Sequence, residues 1–285
     1  MESKNDTRGS ILATGAGGTV GSYLDARFVG LTRADLDVTD FESVRDAFQK
    51  VQPAGVLHLA AATNVDNCET ESEMTFQTNA LGSLNVARAC AELDVPLIYI
   101  SSAQVFSGDK HTAYHEFDMP NPRTVYGASK LAGENAVLRA HSRSIVVRVG
   151  WMIGGGRAGE RKFISKMLER GMEDGVVRAV NDKFGSLTYA RDLVELSPRL
   201  ISSGFHGVVH YGSPDSASRF EIAQRVISTL DIALPVRAVS SDAFDLPAPR
   251  GRSEFLSSLV LPTLGLVTPG DWRSTLDEYL FSEWT

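Results

Sequence analysis

The chain alternates short runs of consecutive apolar residues with longer stretches in which apolar positions recur every three or four residues. Runs of the first kind read as strands buried on both faces, and stretches of the second kind as amphipathic helices. Strands are expected at 10–13, 28–31, 56–60, 97–101 and 144–149, and helices at 18–27, 41–49 (capped by Asp40), 71–93 and 125–140. This order predicts an α/β fold, a doubly wound parallel sheet of the Rossmann type. Beyond residue 149 the regularity fades. Gly154, Gly155 and Gly156 interrupt the chain, and the pattern then predicts a helix at 160–170 and strands at 176–179 and 208–211. A helix at 219–230, capped by Ser216 or Ser218, and a last helix at 274–281 follow. A smaller C-terminal lobe is expected from this second half.

The first strand runs directly into Thr14-Gly15-Ala16-Gly17-Gly18-Thr19-Val20-Gly21. Glycines at this spacing allow a tight turn and a close backbone approach, and the amides that follow can meet a pyrophosphate. A dinucleotide site is therefore expected at Gly15, Gly18, Thr19, Val20 and Gly21. The large domain is then a dinucleotide-binding one, residues 1–153 with returning segments near 181–212. Residues 154–180 and 213–285 form the substrate-binding lobe. The second strand ends in Leu31-Thr32-Arg33 with no carboxylate at that point. A hydroxyl and a guanidinium suit a 2′-phosphate, so NADP(H) is expected over NAD(H), with Asp37 and Val38 flanking the adenine.

Tyr126 and Lys130 stand four residues apart on an expected helix, hence on one face. A phenol beside an ammonium is a usable acid and base. Ser101 and Ser102 end the fourth strand, at the sheet edge where such folds bind ligands. A hydroxyl there can hold a carbonyl against the phenol.

Composition narrows the field further. The 28 basic and 35 acidic residues of this 285-residue chain give a net charge of −7, which argues against a broad nucleic-acid face. Two cysteines, Cys68 and Cys90, are too few for a disulfide framework and lack metal-ligand spacing. The residues before the first strand are polar, and no stretch of about 18 apolar residues occurs, so a cytoplasmic protein without a membrane span is expected. No metal site is expected; His111 and His115 fall in a loop-like segment, and His206 and His210 read as packing residues. Asp66, Glu69, Glu71 and Glu73 read as a solvated helix start.

The glycine turn, Ser102 ahead of Tyr126-x-x-x-Lys130, and Asn79 in the intervening helix resemble the extended short-chain dehydrogenase/reductases. Residues 36–40, the run Asn181-Asp182-Lys183-Phe184-Gly185-Ser186-Leu187-Thr188-Tyr189-Ala190-Arg191-Asp192-Leu193, Pro249-Arg250 and Asp271-Trp272-Arg273 resemble the dTDP-4-dehydrorhamnose reductase branch. The resemblance implies NADPH-dependent reduction of the C4 ketone of a nucleotide-linked 6-deoxy sugar. It implies that Tyr126 is the proton donor, that Lys130 lowers its pKa and holds the nicotinamide ribose, and that Ser102 stands where the family has threonine. It places Ala60, Ala61, Thr63 and Asn79 at the cofactor, Trp151 against the sugar and Arg250 at the diphosphate. Two departures bear on the sugar pocket: Ala103-Gln104 where the family has aspartate and tyrosine, and Ala62 where it has tyrosine.

A nucleotide-sugar epimerase of the same superfamily and a non-catalytic NADP-binding regulatory subunit are the alternatives. Thr32-Arg33 disfavours the first, and the intact Ser102, Tyr126 and Lys130 disfavour the second. A homodimer is left open as the assembly.

Overall fold

The computed structural model describes residues 9–160 and 162–285. Six parallel strands form the main sheet in the order β10-β5-β4-β3-β1-β2. They are β1 (Ile11–Thr14), β2 (Phe28–Leu31), β3 (Gly55–His58), β4 (Leu97–Ser102), β5 (Ser144–Val149) and β10 (Gly207–Tyr211). β1, β3 and β5 are buried at every position, which is why they read as mostly apolar runs. The order reverses at β1 and β3, leaving a crevice at their carboxyl ends.

Helix α1 (Phe41–Val51) starts where expected: the Asp40 carboxylate accepts from the Glu42 amide, and Val44, Phe48 and Val51 form the buried stripe. The other crossovers are less regular. The helix expected at 18–27 is a single 3₁₀ turn, Gly21–Tyr23. Gly17 and Gly18 weaken helix initiation, and the Phe28 amide already turns back to the Asp25 carbonyl. A short helix that the pattern does not predict, α2 (Val65–Thr70), precedes the helix expected at 71–93, which is divided into α3 (Ser72–Phe76), a π-helical segment (Gln77–Leu81) and α4 (Gly82–Leu93). Helix α5 (Val125–Ala140) runs over the expected span, with Thr124 accepting from the Gly127 amide as its cap.

The second half adds β6 (Trp151–Ile153), α6 (Gly156–Gly159), α7 (Phe163–Asp174), β7 (Val177–Val180), β8 (Phe184–Gly185), β9 (Leu187–Tyr189) and α8 (Ala190–Ser203). After β10 come β11 (Ala217–Ser218), α9 (Arg219–Thr229), β12 (Val236–Val239), β13 (Ser253–Glu254) and α10 (Trp272–Glu283). Ser218, not Ser216, caps α9, in a reciprocal capping box with Glu221. Short sheets pair β6 with β9, β7 with β12, and β8 with both β11 and β13.

Apolar clusters cover both faces of the main sheet: one takes in Leu193, Val194 and Leu200 of α8, the other Val44 and Phe48 of α1 with Val86 of α4. A further cluster gathers Trp151, Ile164, Val177, Leu187, Ile222 and Leu276 in the second half. Segment 181–212 thus divides between sheet and lobe: β8 and β9 belong with the lobe, α8 and β10 with the main sheet. Leu261, expected in the lobe, packs with the main-sheet cluster because α8 and β10 leave an apolar edge there to cover.

Candidate active site

The glycine turn is built for close backbone packing. Gly15 has φ +68, and a Cβ there would sit 2.6 Å from the Ala60 nitrogen. A Cβ on Gly21 would meet the Ala16 carbonyl oxygen at 1.9 Å, whereas one on Gly17 would point into open space. The amides of Gly17, Thr19 and Val20 find no partner among the described residues. Three unpaired donors at a sheet's carboxyl edge form a concavity for an anion, and these residues fit the pyrophosphate of a dinucleotide. Thr14 ties this turn to the end of β3: its hydroxyl accepts from the Leu59 and Ala60 amides and bonds His58 Nδ1 at 2.7 Å. His58, buried against Tyr99 and bonded to Ser83, is held well below the ordinary imidazole value by its burial and then by the Lys130 charge.

At the end of β2 an acid stands closer than the sequence suggests. The Asp35 carboxylate accepts from both the Thr32 amide and hydroxyl, at 2.9 and 2.7 Å. Thr32 is therefore occupied internally, while Arg33 is exposed with no bonded partner among the described residues. Asp37 takes the Thr39 amide and hydroxyl, and Val38 is buried against Gly82.

Asn79 lies in the π-helical segment and is fully buried. Its amide brackets Ala62, accepting from the nitrogen at 2.7 Å and donating to the oxygen at 3.0 Å, and it also donates to Ser129 Oγ at 2.9 Å. Within the chain it joins the Ala62 turn to α5. The extra residue of a π-segment re-aims its side chain in this way.

Ser102, Tyr126 and Lys130 come together at the carboxyl end of β4. Ser102 Oγ accepts from the Gln104 amide at 3.2 Å. Burial pushes Tyr126 up to about 12, opposed by the neighbouring Ser102 hydroxyl and reinforced by the Glu254 charge. Lys130 is 2% exposed and its ammonium lies 4.0 Å from the Tyr99 ring centre. Burial lowers it to about 7, against the pull of Glu134. Glu134 is itself buried, accepting from Ser101 Oγ at 2.5 Å and from Arg148 at 2.9 and 2.7 Å.

Of the four acids expected at a solvated helix start, Glu71 and Glu73 are exposed, while the partly exposed Asp66 and Glu69 hold bonded partners. Glu69 accepts from the Val125 amide at 2.9 Å, capping the helix that carries the tyrosine. Asp66 pairs with Arg250 through two 2.8 Å bonds and accepts from the Ala248 amide. Arg250, expected at a diphosphate, is thereby bound to a carboxylate 184 positions earlier in the chain. Trp151, expected against a sugar, is buried: a Cβ on Gly185 would fall 2.6 Å from its ring, and the Arg219 guanidinium lies 3.7 Å from the ring centre. Sequence reasoning missed Glu254 and Arg219. Burial raises the pKa of Glu254, opposed by Trp151, Arg219, Arg250 and Gln104 around it. A carboxylate thus stands beside Gln104, which occupies a position where the resemblance implied tyrosine. Only the isolated acid in an otherwise basic run, Arg250-Gly251-Arg252-Ser253-Glu254, could have signalled it.

A dinucleotide turn and a serine-tyrosine-lysine set on one edge of a parallel sheet define an extended short-chain dehydrogenase/reductase. The family model of the RmlD substrate binding domain matches residues 9–283, and the chain belongs to that family. It is 37% identical over 279 residues to a dTDP-4-dehydrorhamnose reductase of Mycolicibacterium smegmatis, covering 94% of this chain and 84% of the relative. It is 35% identical to a probable dTDP-4,6-dihydroxy-2-methyloxan-3-one 4-ketoreductase of Streptomyces antibioticus, with 94% and 93% covered. The crystal structure of a dTDP-4-dehydrorhamnose reductase from Bacillus anthracis in complex with NADP superposes with a TM-score of 0.91 at 30% identity, covering 96% of this chain and 99% of that one.

Proposed function

We propose that the protein reduces the C4 ketone of a nucleotide-linked 6-deoxy-4-keto sugar with NADPH. The reading is carried by the convergence of Ser102, Tyr126 and Lys130 at the sheet edge shared with the glycine turn. The relatives' names supply the substrate class, a dTDP-linked sugar.

The amides of Gly17, Thr19 and Val20 would hold the pyrophosphate of NADPH and Arg33 its 2′-phosphate, and the bound cofactor would supply the hydride. The chain supplies the proton. With its pKa held up to about 12, the Tyr126 phenol is neutral at physiological pH and is the donor to the carbonyl oxygen. Ser102 binds the same oxygen and fixes its distance from the phenol. Lys130, on the same helix face, stabilises the phenolate left behind and orients the nicotinamide ribose.

Steady-state NADPH oxidation with dTDP-4-dehydrorhamnose and its C3 and C5 epimers tests this. Turnover with at least one is expected. Tight NADPH binding with no oxidation of any of them would favour a regulatory subunit and overturn the reading.

A further inference from the structure

The substrate lobe holds a cation with no bonded partner. Arg219 is the first residue of α9, and its guanidinium stacks on the Trp151 ring at 3.7 Å and on the Phe163 ring at 4.6 Å. Among the described residues no carboxylate comes within ion-pair distance of it and no hydrogen bond uses its donors. Glu254 and Glu160 act on it through charge alone. Two further cations also bear on Arg219: Arg250, already paired with Asp66, and Lys162, whose side chain keeps an open flank. Burial, more than these neighbours, lowers Arg219 to about 10, so it is still charged at neutral pH.

The guanidinium is only partly exposed and its donors are unused within the chain, so an anion placed on it gains charge-assisted hydrogen bonds. The stack on two rings fixes the planar fork before any ligand arrives, which removes much of the ordering cost of binding. We propose that Arg219, rather than Arg250, is the cation that takes the diphosphate of the nucleotide-linked sugar. This rests on the reductase reading for the identity of the ligand. Placement supports it: Arg219 stacks on Trp151, the residue that the resemblance sets against the sugar, and the Glu254 charge acts on both Arg219 and Tyr126. Cofactor phosphates are served elsewhere, by the glycine turn on β1.

The test is calorimetric titration of the NADP-loaded protein with dTDP. Arg219→Gln should weaken dTDP binding by about ten- to a hundredfold while leaving NADPH affinity unchanged, and Arg250→Gln should weaken it less. Should Arg219→Gln lose NADPH binding, showing that it misfolds, Arg219→Met is read in its place, since its stem still packs on Trp151. Native-like dTDP affinity in the Arg219 variant, a larger loss in Arg250→Gln, or no dTDP binding by the native protein each overturns the proposal. Failure of the reductase reading is distinguishable: the protein would then turn over no keto sugar, yet dTDP binding would still depend on Arg219.

Discussion

The Asn79 side chain donates to Ser129 at 2.9 Å, joining the π-helical segment to the helix that carries Tyr126 and Lys130. One buried amide thereby sets both the Ala62 turn and the catalytic helix. Asn79→Ala should cost about 1–3 kcal/mol of stability, because the Ala62 backbone loses its partners in a buried site. NADPH binding should weaken with it. Denaturant unfolding and NADPH titration check both; unchanged values would show that the link carries nothing.

Tyr126→Phe removes the proton donor without disturbing the glycine turn. Turnover number should fall about 10²- to 10⁴-fold with NADPH affinity near native. A variant reducing substrate at the native rate would remove Tyr126 from the mechanism.

Glu134 sets the charge of Lys130. Its carboxylate favours the ammonium, so Glu134→Gln should move Lys130 further below its present value near 7. Less ammonium then remains at any pH above that value, and the alkaline limb of the kcat/KM profile should shift to lower pH. A limb at the native position would uncouple the two residues. The same variant leaves Arg148 buried without its counter-charge, so a lower melting temperature should accompany the shift.

Arg33→Asp should weaken NADPH binding more than NADH binding, since the guanidinium is exposed and unbonded while Asp35 already serves Thr32. Calorimetry of the native protein with both cofactors gives the reference. Tighter NADH binding by the native chain would overturn the preference.

Gly133→Ala places a methyl 2.3 Å from the Tyr99 hydroxyl and 2.5 Å from the Asn79 carbonyl oxygen. Helix α5 must then lift from β4, carrying Tyr126 and Lys130 away from Ser102. Activity should fall by more than stability predicts, a split visible by comparing kcat with the melting temperature.

The sequence revealed whatever local pattern determines. β1, β3 and β5 are apolar at nearly every position because both faces are covered. Asp40 and the stripe Val44, Phe48 and Val51 mark α1, and Thr-Gly-x-Gly-Gly marks the cofactor turn. Pairings across long chain separations were not legible. Nothing near Asp66 says that it meets Arg250, nothing near Glu69 says that it caps α5, and Arg219 gives no sign of stacking on Trp151. The π-segment at 77–81 was invisible for another reason: an i to i+5 hydrogen bond leaves no mark on an apolar periodicity that continues on both sides.

The strand order also fixes a sequence of events during synthesis. β5, buried at all six positions, borders β4 on one side and β10 on the other. Its outer edge stays unpaired until residue 211 has left the ribosome, some sixty residues after the strand itself. Through that interval the nascent chain presents an apolar edge that another strand could join, and the lobe-forming residues between must be kept from doing so.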